Sequence, residues 1–347
     1  MRSSFATYRT SWRRPHLVHV LQDMRVSGDY SMAVTLCSTL QQQYVNTVAF
    51  TGDLETLDLT LLRYIQSAGA QCVHLDEIDQ SSLCELRPTG VIFYNTVNCP
   101  DAGSIFPSIY YSSGKYDHKL RCKAYAAVTP YAIGHGRYGA LVQPQEKIQV
   151  TLKPYIPTRM LRNLRGKLDT FTVGLFTSNN MNKYPGDAVV KLAGLIPDDI
   201  QLAVTTLNSY THPGVELALA DREARCGLVR CPVKPMLCSG KLPYMDAVIY
   251  ASEVFHTDTA GLLVLEAMAL GKPVICERKG VFGDMLTGGV DSYLYTSITD
   301  IPEYIETIRK DKQLVKKMAA NARYTAGRCD VNSSIHLLGE LLKSIGV

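Results

Sequence analysis

The sequence of 347 residues has no apolar run that approaches the ~18 residues needed to cross a membrane as a helix. Its first residues, MRSSFATYRTSWRRPH, are basic, but no apolar stretch of the secretory type follows them. The cysteines include no Cys-x-x-Cys and no Cys/His spacing of the zinc type. We therefore expect a cytoplasmic protein with reduced thiols. The cysteines are Cys37, Cys72, Cys84, Cys99, Cys122, Cys226, Cys231, Cys238, Cys276 and Cys329.

Motifs of several nucleotide-dependent and metal-dependent classes are also absent. The sequence has no Walker A loop, no Ser-His-Asp elbow and no Asp-x-Asp, the usual divalent-metal clamp for a sugar nucleotide. Residues 134–139 match the dinucleotide fingerprint Gly-x-Gly-x-x-Gly by letter. That fingerprint needs a preceding strand, a helix that opens on it and an acid about 20 residues later. Here Pro144 follows and residues 154–160 contain no acid, so we interpret the segment as a loop.

Short apolar runs alternate with helical patterns through most of the chain. The runs LVHVLQ, TVAF, QCVHL, VIFYN, SIYYSS and AYAAVTP precede an irregular stretch at 143–169, and FTVGLF, IQLAVTTL, LVRCPV, AVIYAS and PVICE follow it. Strands that alternate with helices form parallel sheets covered on both faces. We predict an α/β protein with two doubly wound, Rossmann-like domains, 1–165 and 166–330, facing each other across a cleft. Whether the C-terminal helix, at about 331–347, packs back on the first domain stays open.

The formal net charge is only +4, which does not by itself indicate a nucleic-acid partner. Two clusters are nevertheless basic and free of acid. The first 22 residues carry four arginines, and residues 159–167 carry four basic groups. Such clusters are usually solvated faces, but both can also attract a polyanion or an anionic membrane surface. Nucleic acid and a peripheral position at the inner membrane surface therefore stay open.

The stretch DTAGLLVLEAMALGKPV, residues 258–274, places two carboxylates in an apolar segment. It follows the run AVIYAS and predicts a helix over 259–270 that ends at the next glycine. Asp258 is a candidate N-cap or a ligand-binding residue. Glu266 is expected to be buried, which is unfavourable unless the carboxylate is paired, so its partner is a Lys or Arg or the vicinal hydroxyls of a ribose. Gly261 lets a ligand approach the backbone.

These residues resemble the hallmark of the GT-B glycosyltransferases, in particular the large family-four group of retaining enzymes that use nucleotide sugars. That hallmark is a Glu, seven residues and a second Glu. RVSGDYSMA resembles the family's Gly-rich loop after the first strand, GLFTSNNMNKYP its strand ending in Gly-Arg with a downstream Lys, and KGVFGDMLTGGVDSYLY its later Gly-rich turn. The closest agreement is at Gly261, Leu262, Leu265, Glu266, Ala267, Met268, Ala269, Gly271, Pro273 and Val274.

The resemblance implies a GT-B fold and a role for each matching residue. Glu266 would bind the ribose of the nucleotide, Asp258 would contact hydroxyls of the transferred sugar, and Lys183 would neutralise the diphosphate. Ser27 and Gly28 would bring the backbone of the N-terminal domain to the phosphates. A UDP- or GDP-sugar would be the co-substrate, with no metal or other cofactor. Backbone amides at the start of the helix would contact the sugar or the β-phosphate, from Thr259, Ala260, Gly261 and Leu262.

Two positions depart from the family pattern, and one catalytic candidate stands outside it. Asp258 replaces the first Glu, so the sugar sits differently or is a different sugar. Leu175 occupies the place of the family's phosphate-binding Arg, so either another cation replaces it, with Arg25 and Lys115 as candidates, or turnover is poor. His118, in YSSGKYDHK, would lie near the cleft if this segment follows the fourth or fifth strand. An exposed loop histidine is the alternative.

Acceptor specificity is expected, by the same resemblance, in the N-terminal half. Residues 108–138 hold six tyrosines and five Lys or Arg against one acid, which suits stacked bases and phosphates as well as a sugar chain on an anionic lipid. The alternative is that several tyrosines pack inside as strand residues. We predict a metal-independent retaining glycosyltransferase that acts on a cell-envelope glycan or a small molecule. A transferase for hydroxylated bases of nucleic acid, as phages use, and a non-catalytic sugar-nucleotide binder stay open.

Overall fold

The computed structural model describes most of the chain, and every structural statement below refers to that part. Within it, none of the helices combines the length and the apolar character that a membrane crossing requires. The described residues are 14–22, 24, 28–52, 59–94, 105–112, 122–127, 148–151, 156, 158, 161, 164, 166–176, 184–206, 213–232, 240–252 and 261–347.

The first half of the chain forms a parallel sheet of seven strands in the order β3-β2-β1-β4-β5-β6-β7. Its helices, α1 (Gly28–Leu40), α2 (Leu59–Ser67) and α3 (Gln80–Glu85), follow the first three strands in turn. Six strands correspond to the apolar runs of the sequence: β1 (His16–Leu21), β2 (Val45–Phe50), β3 (Ala70–His74), β4 (Gly90–Tyr94), β5 (Ser108–Ser112) and β6 (Ala124–Ala127). The seventh, β7 (Ile148–Thr151), lies in the stretch 143–169 that we expected to be irregular.

The second half forms a parallel sheet of six strands in the order β10-β9-β8-β11-β12-β13. Its strands are β8 (Thr172–Phe176), β9 (Gln201–Thr206), β10 (Leu228–Pro232), β11 (Ala247–Tyr250), β12 (Val274–Glu277) and β13 (Tyr293–Tyr295). The helices among them are α4 (Gly186–Leu195), α5 (Pro213–Cys226), α6 (Leu262–Leu270) and α7 (Val281–Met285). The tail contains α8 (Ile301–Lys310), α9 (Lys312–Gly327) and α10 (Val331–Ser344).

Both sheets reverse their strand order at one place, which is the feature that positions a ligand. The reversal lies between β1 and β4 in the first sheet and between β8 and β11 in the second. Ligands of open α/β sheets bind beyond the carboxyl ends of the strands at such a point. The α1 helix follows β1, and α6 follows β11, so each begins beside its own reversal. The predicted α/β class with two doubly wound parallel sheets is confirmed.

The C-terminal helix α10 packs on the first sheet rather than on the second. Leu338, Leu341 and Leu342 are buried in the same apolar cluster as Leu17 of β1 and Leu36 of α1. The chain therefore crosses between the two sheets twice, once after β7 and once before α10. The exact domain boundary at 165/166 stays a prediction.

The two crossings are bonded to each other. The Ile156 amide donates to the Cys329 carbonyl (3.3 Å), and the Val331 amide donates to the Ile156 carbonyl (3.2 Å). The Asp330 carboxylate accepts from the Thr158 amide (3.1 Å) and from the Thr158 hydroxyl. Burial raises the pKa of Asp330, but these bonds and those from Asn332 outweigh burial, so the net pKa is lowered. The carboxylate therefore joins both crossings in its ionised form.

Two of the tyrosines and most of the described cysteines belong to the interior, whereas Cys84 is exposed. Tyr110 and Tyr111 on β5 are buried in the cores on opposite faces of the first sheet, so for these two the core alternative is correct. The cysteines of the described ranges are free thiols, and burial raises the pKa of the half-buried Cys72 to about 11. Cys99 and Cys238 lie outside the described residues. Among the described residues, the buried thiols are those of Cys37, Cys122, Cys231, Cys276 and Cys329.

Candidate functional site

The candidate site is built around α6, which runs through the core of the second sheet. All residues from Val264 to Leu270 are buried, including Glu266, whose exposed fraction is 8%. The helix belongs to the apolar cluster that also contains Phe176 of β8 and Val248 of β11. The expected helix with an acid in its interior is therefore present. That acid is a buried carboxylate in a helix whose other residues are apolar.

The start of α6 differs from the prediction. The helix begins at Leu262 rather than at residue 259, and its N-cap is Gly261, with φ 59° and ψ 37° in the left-handed region. Asp258 therefore does not cap this helix, and the N-cap interpretation of Asp258 is wrong. Because the first amides of a helix have no partner inside it, the available donors belong to Leu262 and the two residues after it. Asp258, Thr259 and Ala260 themselves lie outside the described residues.

An aromatic pair lies against the backbone of Gly261. A Cβ at this position would overlap Cε1 of the Phe282 ring and lie 3.0 Å from its Cζ. The same ring meets Tyr250, the last residue of β11, edge to face, with the ring centroids 5.4 Å apart at 72°. Positive φ and lack of space each exclude a larger residue at Gly261. The entry to α6 is thus packed between the end of β11 and the turn after β12.

The far end of α6 follows the expected stop signal. Gly271 has φ 72°, and its amide donates to the Met268 carbonyl (2.8 Å). The Arg323 guanidinium on α9 donates to the Leu270 carbonyl (3.2 Å) and occupies the space where a Cβ of Gly271 would lie. A left-handed glycine and a cation at the carbonyl end are the usual means of ending a helix.

Glu266 lies on the side of α6 that meets the first half of the chain. Leu262 is half-buried and packs against the apolar cluster of the first sheet and α10 as well as against that of the second sheet. Residues four apart share a helix face, so Glu266 lies one turn further along the face that carries Leu262. The buried carboxylate is thereby located close to the junction of the two halves.

The other predicted site residues divide into described and undescribed ones. Gly28 is the first residue of α1, beyond the carboxyl end of β1, in the place that the resemblance implies. Ser27, His118 and Lys183 lie outside the described residues, as do Arg25 and Lys115. The described members of the predicted site are thus Gly28, Gly261, Leu262 and Glu266.

Leu175 is not a vacant phosphate site. Its side chain is fully buried on β8 and packs in the cluster with Val189 and Leu192 of α4. Phe176, the next residue, faces the opposite cluster that contains α6. The side chain of Leu175 is therefore turned into the apolar layer on the other face of the sheet from α6. Leu175 is therefore a core residue of this sheet, and its side chain does not face α6.

Sequence reasoning did not single out Phe282 or Tyr250. Phe282 stands between Gly280 and Gly283 in the turn segment after β12, and Tyr250 ends β11. An aromatic residue framed by glycines next to the motif is the signal that could have indicated a packing role. Its partner, Gly261, could not be identified from the sequence, because the contact joins residues 21 positions apart.

Comparison with known families and structures agrees with this geometry. Residues 242–325 match the family model described as Glycosyl transferases group 1, and this segment runs from just before β11 into α9 and includes Glu266. A search of the curated proteins finds no match.

Several solved glycosyltransferases have the same arrangement over nearly the whole chain. Alr3699/HepE of Anabaena, crystallised with UDP, has a TM-score of 0.73 and 14% identity, covering 95% of this chain and 100% of that one. A glycosyltransferase of Rickettsia africae ESF-5 has a TM-score of 0.75 and 14% identity, covering 96% and 99%. WaaG, involved in lipopolysaccharide biosynthesis, has a TM-score of 0.64 and 12% identity, covering 94% and 99%.

The chain has the GT-B fold. The resemblance inferred from the motif is thereby confirmed at the level of the fold and of the matched segment. In GT-B terms, the first sheet with α10 forms one half and the second sheet with α6 forms the other.

Proposed function

We propose that this protein is a retaining glycosyltransferase that moves a sugar from a nucleoside diphosphate sugar to a hydroxyl acceptor. The observation that carries the proposal is the buried Glu266 on α6, in a segment that matches the group 1 family model. A carboxylate at this place, close to the junction of the two halves, can accept hydrogen bonds from the two vicinal hydroxyls of a ribose. A UDP-sugar is the first donor to test, because Alr3699/HepE was crystallised with UDP, and a GDP-sugar is the alternative.

In the proposed donor complex, each residue meets one part of the nucleotide sugar. Glu266 accepts hydrogen bonds from the two ribose hydroxyls. The amides at the start of α6, together with those of Thr259, Ala260 and Gly261, donate to the β-phosphate or to the sugar, where the positive end of the helix dipole favours negative charge. Asp258 accepts from hydroxyls of the transferred sugar.

The proposed reaction needs no separate base. The bond between the anomeric carbon and the phosphate oxygen breaks, the acceptor oxygen forms a new bond to the same face of that carbon, and the acceptor proton passes to a leaving phosphate oxygen. Negative charge grows on the leaving diphosphate, so Lys183 is proposed to stabilise it, and Ser27 and Gly28 to add backbone donors from the N-terminal half. His118 is a proposed catalytic group near the acceptor. No metal is invoked.

The acceptor that we propose is a cell-envelope glycan or a small molecule. One structural neighbour, WaaG, is involved in lipopolysaccharide biosynthesis, which supports the first class. A nucleic-acid acceptor loses part of its support, because two of the six tyrosines that suggested base stacking are core residues. The non-catalytic alternative rested on Leu175, whose side chain lies in the core on the face of the sheet away from α6. We propose a cytoplasmic location that includes peripheral contact with the inner membrane surface.

A thermal-shift panel tests the donor assignment. The protein is heated with UDP, GDP, UDP-glucose and a GDP-sugar, because a ligand at 100 times its dissociation constant stabilises by about 2.7 kcal/mol. We expect a rise in Tm with one nucleotide series and not with the other. Hydrolysis of the matching nucleotide sugar without acceptor should persist in excess EDTA. No shift with any nucleotide contradicts the proposed function, and loss of hydrolysis on chelation contradicts the metal-free reaction.

A further inference from the structure

Phe282 lies in the second half of the chain, outside the α6 motif. Its ring is 3% exposed and occupies the side of Gly261 on which a Cβ would stand. The three atoms nearest to that Cβ position all belong to Phe282. Gly261 is the N-cap of α6 and has no side chain that could form a capping hydrogen bond, so the orientation of its backbone is not fixed in that way.

The Phe282 ring also contacts an aromatic residue at the end of β11. This residue, Tyr250, meets the ring edge to face, an arrangement that favours one ring orientation. Phe282 belongs to α7, whose N-cap is Gly280 with φ 57° and ψ −140°. The position of the ring is therefore fixed by two strands, β11 through Tyr250 and β12 through the turn that leads into α7.

We propose that Phe282 is a positioning residue for the nucleotide-sugar site, acting through Gly261. The Gly261 carbonyl accepts from the Leu265 amide (3.0 Å), so the backbone that Phe282 contacts is bonded into the first turn of α6. The ring thus fixes the direction of the amides that begin the motif, in the way that a packed outer residue fixes a binding group. This inference rests on the proposed function, since it assigns the phosphates of the donor to these amides.

The experiment compares UDP with uridine, which carries no phosphate. Calorimetry of Phe282→Ala and Phe282→Leu should give UDP affinity about tenfold lower than wild type, the effect of one charge-assisted hydrogen bond. Uridine affinity, measured by NMR titration, should be unchanged, because Glu266 and the ribose are untouched. A merely structural loss lowers both affinities. The matched control is Leu286→Ala, which truncates another buried residue of the same segment and should leave the ratio of UDP to uridine affinity unchanged.

A double-variant cycle isolates the contact. Gly261→Ala should lower UDP affinity, because its Cβ overlaps the ring. In the Phe282→Ala background the same change should have a smaller effect, since the overlap is gone and only the backbone strain remains. The positioning role would be overturned if both Phe282 variants bound UDP as tightly as wild type. It would also be overturned if Gly261→Ala lowered UDP affinity by the same factor in both backgrounds. Either result would leave the proposed function intact. Wild-type protein that binds no nucleotide would overturn both.

Discussion

At the scale of single residues, burial fixes the charge state of His19 on β1. The imidazole is fully buried, with Nε2 3.1 Å from Oδ1 of Asn46 and Nδ1 2.9 Å from the Tyr94 hydroxyl. Because the Asn46 oxygen only accepts, Nε2 carries the proton and Nδ1 accepts from Tyr94. Burial lowers the pKa of His19 to about 4, against a smaller upward contribution from Asn46. The interior of the first half therefore depends on a neutral histidine.

This histidine makes stability depend on pH. The pKa of His19 falls from 6.5 when exposed to about 4 in the fold, so between these values the unfolded chain binds more protons. The contribution of neutral His19 to the free energy of unfolding is fully present above pH 6.5. It is lost as the pH falls towards 4, and the total loss is about 3 kcal/mol. Urea unfolding at steps between pH 4 and 7 measures it.

The variant His19→Gln provides the comparison for that titration. Since glutamine does not titrate, its unfolding free energy should vary less over the same window, although the buried His16, whose pKa is also lowered by burial, contributes in both proteins. Equal slopes in the two proteins would mean that His19 is not the titrating group.

Lys183 is a second residue with a separable effect. If its ammonium stabilises charge on the leaving diphosphate, Lys183→Ala should lower kcat by roughly 100-fold while the KM for the donor changes little. The matched control is Lys191→Ala, an exposed lysine on α4, which should behave as wild type. An intact kcat with a raised KM would assign Lys183 to binding alone.

The residues of the α6 motif could be predicted because their chemistry is unusual for their place. Glu266 is an acid among apolar residues and Gly261 precedes a helix, so both are visible in the sequence. Phe282 is one of many apolar residues, and only the folded chain brings it to Gly261. Contacts between distant segments are what the local pattern cannot supply.

At the scale of elements, β8 shows how alternation decides which residues meet α6. Val173 and Leu175 face the cluster with α4, whereas Phe176 faces the cluster with α6. Gly174 shares the second face and is crowded there, since a Cβ would lie 2.9 Å from Met245 and would overlap the Phe176 ring. Because successive side chains of a strand point to opposite faces, β8 presents one set of residues to α4 and the other to α6.

The substitution Leu175→Arg should now destabilise the protein rather than tighten nucleotide binding. A guanidinium in the apolar layer between β8 and α4 has no acidic partner in the cluster, and an uncompensated buried charge costs about 3 kcal/mol or more. Urea unfolding of Leu175→Arg and of the control Leu175→Met, which keeps volume and polarity, measures the difference. Wild-type stability with tighter UDP binding would show that the side chain reaches the phosphates after all.

Most strand positions followed from the sequence, but β7, β13 and the start of α6 did not. Apolar runs bounded by polar turns specify strands, since both faces of these parallel sheets are buried. At the helix start, Asp258 has the side chain of an N-cap, and the chain instead uses Gly261, whose backbone conformation leaves no trace in side-chain chemistry. Helix boundaries set by backbone conformation and distant packing are hidden from local patterns.

At the scale of the whole molecule, Asp330 connects the two crossings between the halves. Its carboxylate accepts from the Thr158 amide and hydroxyl and also from the Asn332 amide (2.8 Å), where it caps α10. Thr158 belongs to the first crossing, whereas Asn332 belongs to the first turn of α10. The Asp330 side chain therefore both caps α10 and bonds to the first crossing.

Removing this carboxylate should cost more than removing an ordinary cap. Asp330→Ala should lower the free energy of unfolding by about 2 kcal/mol or more, the sum of a lost cap and of buried donors left unpaired on Thr158. The control is Asp311→Ala, which removes the cap of α9 at an exposed position and should cost about 1 kcal/mol. Equal losses in the two variants would show that the bonds to Thr158 contribute nothing.

The stabilisation by Asp330 is lost at a lower pH than the stabilisation by His19. Its pKa is lowered in the fold, so its stabilisation is present above the ordinary value of 3.8 and is lost as the pH falls below it. The difference in unfolding free energy between wild type and Asp330→Ala should therefore shrink in acid.

The central claim is that Glu266 binds the ribose of a nucleoside diphosphate, and calorimetry with UDP tests it most directly. Glu266→Gln should lose about 1–3 kcal/mol of UDP binding free energy, the value of charge-assisted hydrogen bonds, because the amide replaces one accepting oxygen with a donor of nearly equal size. The exposed Glu340→Gln on α10 should bind as wild type does. UDP affinity that is unchanged in a folded Glu266→Gln would contradict the claim.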